Sequence, residues 1–492
     1  MKFRRLQISG FKNLNSCDIE FPNSPLISAV IGSNGSGKSN LTEAIIQILI
    51  GFYFEKPPKF QFKLEFVTQN REVVLERILT SVQIHVDGER IPLDAFARRL
   101  RDGQAQVFYP ELTLIYYSGE CRRVEKLISR YSRHFQKITR EPDTDRQRPL
   151  FVQSSNQQSK IILLSLFAHK HNELLRMLRL EAIQELSLNL RSPEGFDPDR
   201  DEPKLWNTQG SIRRIVAAID ETADRQTDAS HLVTESDSTV PTPRRGSSKG
   251  YIERKYEFST GKDGGLEKLA ERLAKSGDNL YLALEALRSR SLFRSVKFEI
   301  LGRDSESAFD FDQLSEGEKQ LLAVIGALKL TNQNDNLVLL DEPDTHLNPG
   351  WSWEYPSMLG QALGSERQRN STVLMATHDP VMISGMLRDQ VLLAHSPSSG
   401  KASFTRPVRD PRGQGVANLL CSREFFGLPS SLDKETQRLM DERLELSLKG
   451  ELTAEDKRRL ARLNELLQIV QPGLSEWDPE FVEFLRSRRS PS

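Results

Sequence analysis

A chain of 492 residues is too long for one compact core, and its 68 basic residues balance its 68 acidic ones. That balance excludes a global basic field, so any DNA contact has to come from a local patch or an oligomer's groove. Cys17, Cys121 and Cys421 lack disulfide or zinc spacing, the start of the chain carries no signal peptide, and no apolar run could span a bilayer, so the expectation is a soluble cytoplasmic chain without a membrane role.

In chain order, the first informative element is the apolar run Leu26 to Ile31, a strand that delivers Gly32-Ser33-Asn34-Gly35-Ser36-Gly37-Lys38-Ser39 to a helix marked by Leu41, Ala44, Ile45, Ile46 and Ile48. Glycines at the first, fourth and sixth positions let the backbone fold tightly enough for successive N–H groups to face the α- and β-phosphates. Lys38 can reach the β- and γ-phosphates, Ser39 can offer its hydroxyl to Mg²⁺, and Asn40 is counted with the nucleotide-contacting residues. A strand before the loop and a helix after it imply a chain that binds a nucleoside triphosphate.

The middle of the chain changes character. Lys56 to Asp87 alternates apolar and polar positions as antiparallel strands do, and Leu112 to Tyr117 reads as another strand. Lys160 to Leu190 has helical periodicity through Ile161, Leu164, Leu174, Leu175 and Leu178. It is too short, and too soon followed by Pro193, Pro198 and Pro203, for long coiled-coil arms. Glu221 to Lys249 is poor in large apolar residues and is expected to be a mobile loop, with Arg244, Arg245 and Lys249 at its basic end. Tyr251 to Ser259 resumes strand-like alternation, and Gly265 to Leu287 looks helical.

Three segments then supply what the phosphate loop lacks. Leu314-Ser315-Glu316-Gly317-Glu318-Lys319-Gln320 opens a helix continuing through Leu328, and its first turn presents N–H groups and a positive dipole end to an anion. Leu337 to Leu340 reads as a buried parallel strand ending in Asp341-Glu342, where Asp341 suits Mg²⁺ and Glu342 suits a base for an attacking water. Thr372 to Thr377 delivers His378 to the same edge one crossover later. Beyond Ala394 about a hundred residues remain, with amphipathic helices near Asp433 to Leu448 and from Thr453 onward through Leu460, Leu463, Leu467 and Ile469.

Together these segments resemble the ABC-type ATPases, in the subgroup of SMC, RecF and overcoming-lysogenization-defect proteins. The resemblance implies an α/β P-loop head with Walker A at Gly32 to Ser39, a signature at Leu314 to Glu318, Walker B ending at Asp341, Glu342 next to it, and His378 as the switch histidine. It also implies two heads sandwiching two ATP and Mg²⁺, so that Ser315 and Gly317 touch the γ-phosphate held by the other protomer's Lys38. Phe3 to Leu14 looks like the first strand of RecF-like heads, with a Phe-Lys turn leading back toward the nucleotide, and Asp344-Thr345-His346-Leu347-Asn348-Pro349 matches their D-loop. The glutamine loop is left among Gln153, Gln157 and Gln158.

The tail, with Phe425-Phe426-Gly427-Leu428-Pro429-Ser430 before two charged helices, resembles ATPase subunits of Septu-type and retron-associated anti-phage systems, which work with a separately encoded nuclease. An HNH nuclease is the expected partner. No Asp-x-Asp pair follows His378, which argues against an intrinsic nuclease. The expected division is an N-terminal lobe at 1–160, an insertion at 161–290, a C-terminal lobe at 291–400 and a partner-docking helical tail at 401–492. The competing readings are a RecF-like DNA repair ATPase and, with less support, the ATPase half of a membrane transporter.

Overall fold

The runs Ile27–Ile31, Asn336–Asp341 and Thr372–Ala376 are buried along their whole length, as strands covered on both faces must be. They form the middle of a seven-stranded sheet ordered Ser403–Thr405, Val391–His395, Ile27–Ile31, Thr372–Ala376, Asn336–Asp341, Leu112–Tyr117, Phe151–Gln153. All neighbours are parallel except the edge strand Ser403–Thr405. The computed structural model describes residues 1–22, 25–100, 108–118, 122–138, 151–153, 156–169, 172–193, 196, 204–231, 251–303, 307–331, 335–364, 371–396, 401–449 and 451–470. Cys121 lies outside them. This is the α/β head expected from the sequence, and no helix of the described residues is long and apolar enough to cross a membrane.

The helix Lys38–Tyr53 that follows the phosphate loop is buried nearly all round. Such a helix needs apolar partners on two sides. The central sheet lies on one side; on the other, an antiparallel sheet built on Lys2–Ser9, Gln61–Thr68, Arg71–Ile78 and Ser81–Val86 contributes Leu6, Leu64, Phe66 and Leu75 to the same core. Phe52 meets Phe62 edge-on at 5.9 Å. The alternation read over Lys56 to Asp87 is therefore the half-buried pattern of this second sheet.

The insertion departs from expectation at two places. The helical pattern read over Lys160 to Leu190 resolves into helices Asn156–Ala168 and Asn172–Met177 followed by a strand, Leu180–Arg191. Leu180, Ile183 and Leu186 are buried at three-residue spacing, which imitates a helix. The cause is irregular pairing: the register against Phe293–Gly302 shifts between Leu180 and Ala182 and again between Gln184 and Ser187, where Glu185 has φ 49°. The second departure is the expected mobile loop at 221–249. Glu221 and Thr222 end the helix Gly210–Thr222, and Arg225–His231 is a strand paired with Tyr251–Phe258, so backbone pairing orders a segment that lacks a core of its own. Residues 232–249, including Arg244, Arg245 and Lys249, lie outside the described residues. Gly265 to Leu287, read as helical, holds two helices, Gly265–Lys275 and Leu280–Ser289, separated at Gly277 with φ +77°.

Two compact units emerge, residues 1–412 and 413–492. The strand Ser403–Thr405 pairs with Val391–His395, so residues 401–412 belong to the head and not, as expected, to the tail. Within the second unit the helices Lys434–Leu448 and Ala454–Val470 form the expected hairpin, closed by Leu439, Leu446, Leu463 and Leu467. Asp433 caps the first helix, and Thr453 and Asp456 exchange hydrogen bonds at the start of the second. Leu463 is fully buried in a four-leucine cluster with little else to repack. Leu463→Ala is expected to destabilise the hairpin by about 2–4 kcal/mol, read from amide hydrogen exchange across 434–470.

Candidate nucleotide site

Because the central strands are parallel and in register, their C-terminal ends stop at one edge. Asp341 pairs in register with Ala376 and Tyr117, and Ala376 with Val30. The chain leaves this edge as three loops: Gly32 to Gly37, Glu342 to Asn348, and Thr377 to Asp379.

The phosphate loop is shaped by close packing from behind. A Cβ on Gly32 would lie 2.2 Å from the carbonyl oxygen of Ala394, so only glycine fits. Gly37 has φ +100°, and a Cβ there would press on Ala402 and Asn13 at 3.0–3.2 Å. The turn at Phe11 and Lys12 brings Asn13 back to the loop, where its Nδ2 donates to the Gly35 carbonyl at 2.9 Å and its Oδ1 accepts from Asn40 at 2.8 Å. Lys12 in turn bonds Asn40 at 3.2 Å and pairs with the buried Glu43. Ser33, Asn34 and Gly35 face solvent, whereas Ser36 is buried with no hydrogen-bond partner for its hydroxyl among the described residues. Lys38 bends over its own loop, its Nζ donating to the carbonyls of Gly32 at 2.7 Å and Ser33 at 3.2 Å. Burial lowers its pKa, and the nearby carboxylates of Glu342, Asp341 and Asp344 oppose that shift.

The carboxylate side is equally tight. Asp341 is buried, takes a hydrogen bond from Ser39, and keeps Oδ1 without a partner among the described residues. Burial pushes its pKa up to about 6. A hydroxyl and a carboxylate oxygen with an unused lone pair are the hard donors Mg²⁺ takes, so the residues present fit the ion. Glu342 sits in the left-handed region at φ 52°, held by its N–H donating to the Ala376 carbonyl at 2.8 Å. His378 reaches Glu342 through Nδ1 and Asp344 through Nε2, each at 3.7 Å.

Sequence reasoning did not assign roles to Asp344, Thr377, Asn13 or Glu43. Asp344 is buried, accepts from Thr377 Oγ1 at 2.7 Å, and has its pKa raised by burial. The signals were present in the second carboxylate after Glu342 and the hydroxyl preceding His378.

The signature residues form a separate cluster. Ser315 caps the helix Glu316–Leu321 in a reciprocal box with Glu318, whose carboxylate accepts from the Ser315 N–H at 2.8 Å and hydroxyl at 2.7 Å. A π-helical turn, Leu322–Gly326, follows, where a Cβ on Gly326 would lie 2.5 Å from Ile162. Gly317 touches the D-loop: a Cβ on it would lie 2.6 Å from the His346 carbonyl oxygen. No hydrogen bond or ion pair among the described residues joins Ser315, Gly317 or Glu318 to Gly32 to Ser39. Of the three glutamines nominated for the glutamine loop, Gln158 is buried against the Tyr281 hydroxyl and Gln157 donates to the Arg294 carbonyl. Gln153 alone ends a strand of the central sheet, at the edge where the other loops emerge.

A family described as "AAA domain, putative AbiEii toxin, Type IV TA system" matches residues 127–384, just over half of the chain. The chain belongs to this AAA-domain family. A second AAA-domain description matches residues 1–70. This AAA-domain chain is similar to the Septu protein PtuA of Bacillus mycoides (strain KBAB4), 25% identical over 31% of this chain and 21% of that protein. It is also similar to the cell division ATP-binding protein FtsE of Bacillus subtilis (strain 168), 33% identical over 22% of this chain and 46% of that one. It thus spans about a fifth and just under half of the length of these two relatives. Among solved structures, an SMC head bound to the C-winged helix domain of ScpA covers 83% of this chain and 98% of its own, at 15% identity and a TM-score of 0.37. The SMC head domain of Thermotoga maritima covers 83% and 99%, at 13% identity and 0.35. The AAA-domain family and the partial likeness to the Septu protein agree with the resemblance read from the motifs.

An acid whose pKa is raised in the folded state costs stability where it is ionised and recovers it on protonation. Without ligand, Asp341→Asn is therefore expected to melt higher than the parent at pH 7.5, by about 1–3 kcal/mol at most. The gap should close as pH falls through 6 toward 4, as followed by thermal melts at stepped pH.

Proposed function

We propose that this chain is an ATP-hydrolysing head that dimerises around two nucleotides and serves, with a separately encoded HNH-type nuclease, in anti-phage defence. The observation that carries the ATPase reading is the meeting of Lys38, Ser39, Asp341, Glu342 and His378 at one edge of a parallel sheet. The phosphate loop would take the α- and β-phosphates on its N–H groups, with Lys38 exchanging its two loop carbonyls for phosphate oxygens. Ser39 and Asp341 would hold Mg²⁺, which when bound neutralises charge on the phosphates. Glu342 would accept the proton of the attacking water, and His378, next to both Glu342 and Asp344, would orient that carboxylate.

Dimerisation is supported by the separation of the signature from the phosphate loop within one chain. Ser315 and Gly317 would complete the site of a second copy, with the Ser315 hydroxyl turning from Glu318 to the γ-phosphate. Gln153 is the residue we assign to the glutamine loop. The defence role and the nuclease partner rest on the similarity to the Septu protein PtuA.

Glu342→Gln is expected to keep ATP binding, to lower turnover by at least about a hundredfold, and to accumulate as an ATP-dependent dimer by light scattering. Unchanged turnover would remove Glu342 from the reaction. A chain ending at Arg412 is expected to bind ATP yet fail to co-purify with the proposed nuclease partner. If that chain still captures the nuclease, the docking surface lies on the head.

A further inference from the structure

Asp344 is a buried carboxylate to which the proposed reaction gives no step of its own. It stands in the loop between Glu342 and the helix Pro349–Leu363, and its two oxygens have different neighbours. Oδ1 accepts from the Thr377 hydroxyl at 2.7 Å, while Oδ2 lies 3.7 Å from His378 Nε2. Among the described residues His378 is the only side chain of basic type within ion-pair distance of it. Taking a carboxylate out of water is costly, and a loop that needed only a brace could use a neutral amide here.

The hydrogen bonds behind Asp344 set its direction. The Thr377 N–H donates to the Val30 carbonyl at 3.0 Å, on the strand that leads into the phosphate loop, and the Asp379 N–H donates to Thr377 Oγ1 at 3.0 Å. With that lone pair taken, the Thr377 hydroxyl gives its proton to Asp344 Oδ1, which leaves Oδ2 for the ring. Asp379 is engaged elsewhere, its carboxylate accepting from the Val381 N–H at 2.8 Å as the cap of the next helix. The His378 side chain is 55% exposed, so packing does not orient it and polar neighbours must. Those are the fixed Asp344 on Nε2 and the half-exposed Glu342 on Nδ1, each at 3.7 Å. Contacts of that length are longer than hydrogen bonds, and in unliganded sites they commonly tighten when substrate binds.

We propose that Asp344 is a positioning residue for the reaction: it accepts from the Nε2–H of His378 and so fixes both the tautomer and the direction of the ring. The open lone pair is then on Nδ1, facing Glu342, where it can accept a hydrogen bond from that carboxyl once Glu342 has taken the proton of the attacking water. The effect on turnover rests on the ATPase reading; the state of the ring does not.

Asp344→Asn, made in the full chain, keeps the size of the side chain and an oxygen for Thr377 but turns an N–H toward Nε2. It is expected to lower kcat at least about tenfold, with KM for ATP changed by less than about twofold. In a His378→Ala background the same exchange is expected to cost nothing more. Thr377→Val removes the brace and leaves carboxylate and ring in place, so its loss is expected to be the smaller one. Equal losses from Thr377→Val and Asp344→Asn, or a loss that persists without His378, would overturn the proposal and make Asp344 a loop brace. Nitrogen NMR of isotope-labelled histidine at about pH 8.5, where an ordinary imidazole is neutral, reads the ring directly. With His378 assigned by its absence in His378→Ala, the parent is expected to show the proton on Nε2 and Asp344→Asn a shift toward Nδ1. If the parent hydrolyses no ATP, the ATPase reading fails and these spectra decide the proposal alone; an unchanged His378 signal would overturn it in either case.

Discussion

The parallel register of the central sheet is the constraint on which the rest depends. Strands that all run one way end together, and whatever follows them collects at one edge. Val30, Ala376, Asp341 and Tyr117 lie side by side in neighbouring strands. Segments more than three hundred residues apart in sequence thereby deliver a lysine, two carboxylates and an imidazole to one place. A sheet with one of these strands reversed would send its loop to the opposite edge.

The electrostatics of that place are those of a site waiting for charge. Lys38 is buried and turned onto carbonyls of its own loop, while Asp341 is buried with one oxygen unmatched among the described residues. Each group is held away from the other, since carbonyls satisfy the lysine and Ser39 satisfies only part of the aspartate. A polyphosphate with its cation would answer both deficits at once, the anion meeting the ammonium and the cation meeting the carboxylate. The left-handed Glu342 adds local backbone cost at the point where the proposed chemistry needs a carboxylate aimed out of the sheet.

Much of this was legible in the sequence because the relevant signals are local. The phosphate loop, the Asp341-Glu342 strand end and His378 each sit on a short apolar run, and a run of five or six buried residues leaves little choice of structure. The strand Leu180–Arg191 was misread because its irregular pairing broke the two-residue alternation into steps of three. Arg225–His231 has no apolar periodicity and is ordered by backbone pairing with Tyr251–Phe258, which no side-chain pattern records. The reason for Gly317 was likewise hidden: the glycine reads as a phosphate contact, yet in the fold it makes room for the His346 carbonyl, a neighbour twenty-nine residues on.

The contact between Gly37 and Ala402 has a bearing on how this protein can be engineered. Ala402 fits its methyl group against the phosphate loop and donates its N–H to the Asn13 carbonyl at 2.8 Å, so a residue beyond the last parallel strand braces the loop built near the start of the chain. A side chain larger than alanine at 402 would press on Gly37, so a label attached through this position would disturb the phosphate loop from a residue 365 positions further along the chain.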